Sequence, residues 1–436
     1  MSVADGSDGP DHGSETRVVD ARRTGTGSGT TAAPVPSAEA ASGWLTPGVR
    51  GIGAASLLSD LGHEVPTTLL PAFLSTVLGA PAAALGLIEG LADGLSGLAK
   101  IIGGPFADEP GRRRSIAVGG YTVTAVLSAA IGLATAAWQV GVLRTGAWVA
   151  RGLRTPARNA LLADAVDRRA YGRAYGFERA MDNLGAVLGP LAALALVSLL
   201  DVRTAILVSV VPGLLAGLAI VYAIRHIRAV PLATPRPRRR VLDLPVRSLL
   251  RGHLRRAFLV VGAFEVGNVA ATLLILRATE VFTAAGRADA AQLAVTLYVA
   301  YNLAGTLASV PFGRLGDARG FTAPLLAGFA LFAGAYGAFA LGPTDPLVLG
   351  AAFVAAGVGI GIVETGEHAI VASAAPPEAR GSAFGLLAGA QSFGDFAASG
   401  IVGILWSLAG GTVAFAYAAT WMLIALLLAA IVRPGR

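Results

Sequence analysis

The sequence predicts an all-α integral membrane protein with twelve transmembrane helices in two pseudo-symmetric six-helix bundles. Three observations lead there. Hydrophobic residues make up 54% of the 436-residue chain and charged residues only 14%, with a mean hydropathy of +0.65. A water-soluble fold could not hide that much apolar surface, so lipid must be the solvent for much of it. From Val49 onward, apolar runs near or above the roughly 20 residues that cross a bilayer core follow one another with short polar breaks. Finally, the chain says nearly the same thing twice: GPFADEPGRR at 104–113 and GRLGDARGF at 313–321 place Asp108 and Asp317 209 residues apart (317 − 108). An echo at half the chain length points to two homologous halves in parallel orientation.

The elements follow in order. Residues 1–46, rich in Gly, Ser, Thr, Asp and Pro and without apolar period, read as a disordered cytoplasmic tail. They lack the basic-then-apolar layout and small-residue cleavage site of a secretory signal. The first bundle, 47–224, holds spans at 49–78, 82–106, 115–136, 138–163, 172–200 and 204–224. Residues 225–256 form a basic cytoplasmic linker. The second bundle, 257–436, holds spans at 257–282, 292–312, 322–341, 346–372, 381–408 and 412–432.

Loop charge orients them. One set of breaks carries Arg112, Arg113, Arg114, Arg168, Arg169, Arg314, Arg319 and Arg380, and the central break is richer still. The alternate breaks hold little beyond Arg203, Arg287, Asp201, Asp289 and Asp345. Arginine-rich loops stay cytoplasmic, which places both termini and the linker inside. The formal net charge of +7 is almost wholly arginine, with Lys100 the only lysine. The linker lacks interleaved aromatics that would stack on bases, so it reads as a loop hugging the anionic inner leaflet, each arginine contributing about 1 kcal/mol, and not as a nucleic-acid site. With no cysteine, disulfides, thiol catalysis and Cys-ligated zinc are excluded. No phosphate-binding loop, GxSxG elbow or Ser/His/Asp set appears, so neither nucleotide-driven transport nor an enzyme is expected. Glu364 and His368 have metal-ligand spacing, but two ligands make no site, and no metal is expected.

In the turn GPFADEPGRR, Gly104 suits close helix approach and Gly111 a tight turn. Asp108 can cap a helix N-terminus, and Arg112 and Arg113 can reach an acid at another helix end, for which Asp164 is the candidate. This segment resembles the signature between the second and third helices of the major facilitator superfamily, with Glu109 standing where that family usually has a basic residue. Arg144, with Gly152 further along the fourth helix, resembles the family's intramembrane arginine. GAVLGP (Gly185, Gly189, Pro190) resembles a fifth-helix motif found chiefly in proton-driven exporters, without its usual trailing glycines. RGLRTPARNALLAD is similar to a bacterial subgroup of presumed exporters. The resemblance implies helix packing at Gly185–Pro190. It also implies a gate or conformational lock from Gly104, Asp108, Gly111, Arg112, Arg113 and Asp164, echoed by Asp317 and Arg319. Further echoes, Ala174–Tyr175–Gly176 in Ala383–Phe384–Gly385 and Gly185 in Gly394, keep the same spacing.

An ionised side chain in hydrocarbon costs several kcal/mol on insertion scales, so each intramembrane charge needs a partner or a task. Asp60 and Glu64 share a face at i, i+4 with His63 beside them, and Glu89 and Asp93 repeat the pattern. Asp60 lies about 15 Å below the helix start at 1.5 Å per residue, hence near mid-membrane. Buried carboxylates have raised pKa values, which suits proton carriage near neutral pH. With Arg144, Glu265, Asn268 and Glu364, these residues form the candidate proton-coupling and substrate cavity. Arg151, Arg154 and Arg158 on one stripe, with Glu178 and Asp182 around Arg179, read as a structural charge cluster toward the cytoplasmic ends, or as a gate.

The resemblance implies a secondary active transporter in a bacterial cytoplasmic membrane: monomeric, without cofactor, driven by a proton gradient, and exporting a small organic molecule or drug. Two alternatives stay open, uptake symport of a sugar, nucleoside or organic anion, and a non-transporting membrane anchor or sensor. For topology, a reporter fused after Arg436 is expected to read cytoplasmic; a periplasmic signal would contradict the twelve-span arrangement.

Overall fold

The computed structural model describes residues 43–227, 249 and 251–434. The expected tail and linker lie largely outside these residues. Among them the chain is wholly helical. The helices are α1 (Pro47–Ala72, continued by a π-helical turn, Phe73–Val77), α2 (Ala82–Ala107), α3 (Pro110–Ala130), α4 (Ala137–Asp164) and α5 (Tyr171–Leu199). The sixth span, α6, comprises Val202–Val208 and Val210–His226, and the seventh comprises α7a (Gly252–Glu265) and α7b (Ala271–Ala284). Then come α8 (Ala290–Arg319), α9 (Thr322–Leu341), α10 (Pro346–Ala374), α11 (380–409) and α12 (411–432), the last two parted by Gly410 with φ of +84°. Among the described residues, seven stretches are long and apolar enough to cross a membrane by length and composition alone. The remaining helices are the charge-bearing α1, α2 and α4 and the broken seventh span.

The halves pack alike. α1 lies against α5 and α6, and α4 against α2 and α3; α7 lies against the α11–α12 unit, and α10 against α8 and α9. Across the halves, α5 meets α8 and α2 meets α11. These contacts are closed by small residues that let backbones touch, the usual device where lipid removes any hydrophobic drive between helices. A Cβ on Gly357 of α10, for instance, would collide with the Tyr301 carbonyl of α8. Apolar side chains such as Leu87, Leu194, Leu341, Leu408 and Leu427 remain exposed as a girdle. At the arginine-rich end one apolar core joins both halves, with Leu161, Tyr171 and Tyr175 beside Ala372, Phe384 and Leu387. At the opposite end the first half has a core of its own around Val65, Leu69, Phe73, Val140 and Ile206.

Several boundaries differ from expectation. α3 begins at Pro110, not at 115, and α8 runs through Arg319, so the second echo is helical and only Gly320, with φ of +84°, turns. Gly111 makes no turn; it lies in the first turn of α3 with open space at its Cβ. The bend is formed by Asp108 and Glu109, and Pro110 starts the next helix because it lacks an N–H to waste. Residues 43–46, expected in the tail, hold α1 in place: Trp44 packs edge-on against Phe177, and the Thr46 hydroxyl caps Val49 N. The seventh span begins at Gly252, inside the expected linker, and breaks between Glu265 and Ala271. Side chains from other helices satisfy the broken backbone: Ser399 Oγ accepts from Ala270 N at 2.9 Å, and Tyr417 OH donates to Val266 O at 3.3 Å. A break at membrane depth survives only with such partners. Outside the membrane, Asp201 caps α6, and the Thr204 hydroxyl and N–H hold its carboxyl below the usual range. That cap is lost only as pH falls through the lowered value.

Because Gly357 sits on backbone, Gly357→Val should overpack the α8–α10 contact and cost about 1–3 kcal/mol or more. A lowered thermal midpoint in detergent would show it, and an unchanged midpoint would contradict the close approach.

Candidate functional site: two helix-capping clasps and a buried charge ladder

α5 and α11 start without caps of their own. Each follows a 3-10 turn (Arg168–Ala170, Pro377–Ala379), and their N-cap residues are alanines, Ala170 and Ala379, which offer no side-chain acceptor. The orphan N–H groups of a first helical turn must be met somewhere. Here the opposite half meets them. Asp108, at the end of α2, accepts from Ser382 N at 2.9 Å and from Ser382 Oγ at 2.6 Å. Asp317, near the end of α8, accepts from Gly172 N at 2.6 Å, Arg173 N at 3.0 Å and Arg173 Nε at 2.9 Å. Ser382 and Arg173 are themselves 209 residues apart (382 − 173), so the two clasps are equivalents in the repeat. Glycines allow each approach: Gly172 lies on the Gly313 carbonyl and Gly381 on that of Gly104. Around the first clasp, Asp164 pairs with Arg113, and with Arg380 at 3.2 Å; Arg380 also donates to Tyr171 OH at 2.8 Å. Arg168 donates to the Ser373 carbonyl.

Deeper in the first half, α4 presents a ladder of cations. Arg144 meets Glu89 of α2 at 3.0 Å and Thr67 of α1 at 2.9 Å, with its guanidinium 3.4 Å from the Trp148 ring centroid. Trp148 Nε1 donates to Asp93 at 2.9 Å. Arg151 reaches Asp60 at 3.4 Å. Arg154 donates to Ser59 Oγ at 2.7 Å and lies over Tyr121, and Arg158 meets Glu178 at 2.7 Å and Asp182 at 3.4 Å. His63 stands between Asp60 and Glu64, at 3.5 and 3.6 Å. Arg179 joins the halves, pairing with Asp182 and with Glu364 of α10, each at 3.1 Å. The second half is furnished differently. Asn268, in the break of the seventh span, donates to Glu265 at 3.2 Å and to Asp395 at 3.1 Å, and Gln391 donates to Glu367 at 2.9 Å. His368 turns a ring nitrogen to its own helix, at Glu364 O, while the Glu364 carboxylate goes to Arg179; among the described residues no metal-sized group of ligands forms.

The α2–α11 seam is closed from Gly104 to Gly97, where a Cβ would meet Ser392 at 3.2 Å. Beyond it Gly94, Gly90 and Gly86 face open space. The halves therefore meet at the arginine-rich end and part toward the other.

The profile of the Major Facilitator Superfamily matches residues 52–286 and 284–436. The chain belongs to the major facilitator superfamily. It is similar to an uncharacterised MFS-type transporter of Methanocaldococcus jannaschii, 24% identical over 371 residues that cover 84% of this chain and 89% of the relative. In fold it is similar to the human organic anion transporter MFSD10 (TETRAN), with a TM-score of 0.69, 16% identity and coverage of 88% and 99% of the two chains. It is likewise similar to the proton:xylose symporter XylE, with a TM-score of 0.65, 13% identity and coverage of 87% and 94%. A twelve-helix transporter of this superfamily, multi-pass in the membrane, is the coarse identity.

The helix N-terminus that Asp108 caps in this transporter is that of α11, and Arg113 meets Asp164 as expected. Arg112 differs: it pairs with Glu109 at the surface, at 2.9 Å, because the first turn of α3 points it away from α4. Arg319 is exposed in the last turn of α8. The expected cluster of three arginines against Glu178 and Asp182 reduces to Arg158, since the stripe spans about two turns and each guanidinium meets a different level of α1. Arg144, which faces no acid in its own helix, finds Glu89 on α2. Arg173, Trp148, Gln391, Asp395 and the Lys100–Ser392 contact were missed; for Asp395 the signal was an unexplained acid within an apolar helix.

Asp108→Asn with Asp317→Asn keeps the side-chain volume but weakens both caps, each by about 1 kcal/mol. In this cysteine-free chain, spin labels at Ser115→Cys and Ala318→Cys, both exposed at the arginine-rich end, should report longer distances. An unchanged distribution in the double variant would deny the clasps any hold on the halves.

Proposed function

We propose that this transporter is a proton-coupled exporter of a small organic molecule, acting as a monomer by alternating access in a bacterial cytoplasmic membrane. One observation carries the reading. The exporter-like glycines of α5 sit directly on the carboxylate face of α1: a Cβ on Gly185 would come within 2.8 Å of Asp60 Cβ, and one on Gly189 would strike Glu64. Helix α5 begins in the Asp317 clasp and ends its seam on these two acids, so a change of charge at Asp60 or Glu64 bears on the helix that closes the halves. The repeat supports this use of the position, because Gly394, the echo of Gly185, sits in the same way on Glu265. With the arginine-rich loops inside, the clasped end is cytoplasmic and the state is outward-facing. Protonation of Asp60 or Glu64 from outside, and release inside, is then the cycle that pays for export.

Uptake of an organic anion is the second reading, and Arg151 favours it. Its side chain is 31% exposed and its contact with Asp60 is long, at 3.4 Å, which leaves it able to meet an anionic cargo. MFSD10 is an organic anion transporter and XylE a proton:xylose symporter; at their identities these activities speak for those proteins.

Reconstituted vesicles with an imposed pH gradient and a panel of cationic and anionic dyes separate the readings by direction. Asp60→Asn and Glu64→Gln should each abolish gradient-driven flux while sparing dye exchange at equal pH. Should both retain a normal response to the gradient, these carboxylates are not the coupling site.

A further inference from the structure

Lys and Arg together number 34, and Lys100 is the only lysine. It stands on α2 two turns from Asp108, about 12 Å deeper along the helix. Its Nζ donates to Ser392 Oγ of α11 at 2.6 Å, a hydrogen bond between the halves at membrane depth. The charged groups that act on it are Asp93 on α2 itself, Arg151 on α4, Arg179 on α5 and Asp395 on α11. Glu364 of α10 acts in turn on Asp395.

The repeat supplies an internal control. The seam of α5 with α8 is the equivalent of the seam of α11 with α2, and the position matching Lys100 is Ser309 (309 − 209). Ser309 spends its hydroxyl on its own helix, at Gly305 O, 2.7 Å away. Ser392 matches Asn183, and Asp395 matches Ala186. The α5–α8 seam thus closes just as tightly with no ion at these positions, so packing does not require Lys100. Nor does positive charge as such explain it, in a chain that uses arginine everywhere else. What lysine adds is exchange: arginine keeps its proton in any protein setting, whereas an ammonium desolvated near other cations can give it up.

We propose that Lys100 is a proton-exchange site that ties the α2–α11 seam when charged and releases it when neutral. In the release step one N–H bond of the ammonium breaks, the electron pair stays on Nζ, and the proton passes to water in the space between the halves. The charge-assisted bond to Ser392 and the attraction of Asp395 weaken together, and α2 is free to leave α11. Reprotonation from the same space restores the tie. This inference rests on the proton-coupled reading above and adds a second titrating group to it.

Spin-labelled Ser115→Cys/Ala318→Cys protein, full length and in nanodiscs, tests it without any cargo. On going from acid to alkaline pH the long-distance population should grow by roughly fivefold or more, the lower end of ordinary coupling strengths. Lys100→Arg should hold the short distance across the range, and Lys100→Met should show the long one at every pH. Ser392→Ala, a milder change, should lengthen the distance at acid pH. A Lys100→Arg protein with the wild-type pH response overturns the proposal and leaves coupling to Asp60 and Glu64. A wild-type distribution indifferent to pH overturns it as well. The broader proton-coupled reading fails separately, when flux in vesicles ignores the pH gradient.

Discussion

Two helix N-termini in this protein are completed by the other half of the molecule. A first helical turn has amide groups with no partner in their own helix, and α5 and α11 begin with alanines that cannot accept from them. Asp108 and Asp317 fill those positions from α2 and α8, and the rest of the interface is arranged to let them. Glycines thin both seams, Asp164 neutralises Arg113 and Arg380 beside one of them, and one apolar core runs beneath both. Folding of each half and docking of the halves are coupled by the same few hydrogen bonds. Separating the halves therefore exposes unsatisfied backbone as well as apolar surface, which gives the closed end a defined free-energy well.

The two halves share a scaffold but not a chemistry. In the first, guanidinium groups on α4 and α5 stand within reach of Asp60, Glu89, Glu178 and Asp182. In the second, Glu265, Glu367 and Asp395 meet the amides of Asn268 and Gln391, which bring donors but no countercharge. Duplication supplied the frame and divergence placed the ions on one side of it. Arg179 and Lys100 extend the first half's positive charge to the second at depth, as Arg173 and Arg168 do at the arginine-rich end.

Much of the frame was legible in the sequence because membrane helices leave strong marks: apolar length, loop arginines and a repeat at fixed spacing. The clasp at Asp108 was legible as well, since an acid in a Gly-rich break has few other uses. What stayed hidden depends on how helices rotate against one another. Arg144 and Glu89, or Arg179 and Glu364, are joined by facing surfaces that no local pattern encodes. The break in the seventh span was invisible for a related reason. VGNVA reads as continuous apolar helix until Ser399 and Tyr417, far along the chain, supply its missing partners. Gly111 and Arg112 were misread because a proline one residue earlier had already begun α3.

The row of glycines on α2 continues past the point where α11 leaves it. Gly97 and Gly104 lie under the neighbouring helix; Gly94, Gly90 and Gly86 line the same face with nothing above them. A bare glycine track in a membrane helix gives up side-chain contact and backbone rigidity, so its upper part is a standing expense in the state described here. It is also a ready-made landing strip. If α11 tips over the Gly97 crossing as over a fulcrum, it can settle on that upper track without either helix changing its side chains. The transporter would then move as a seesaw on one rail, and its second resting position would lie on glycines the helix already carries.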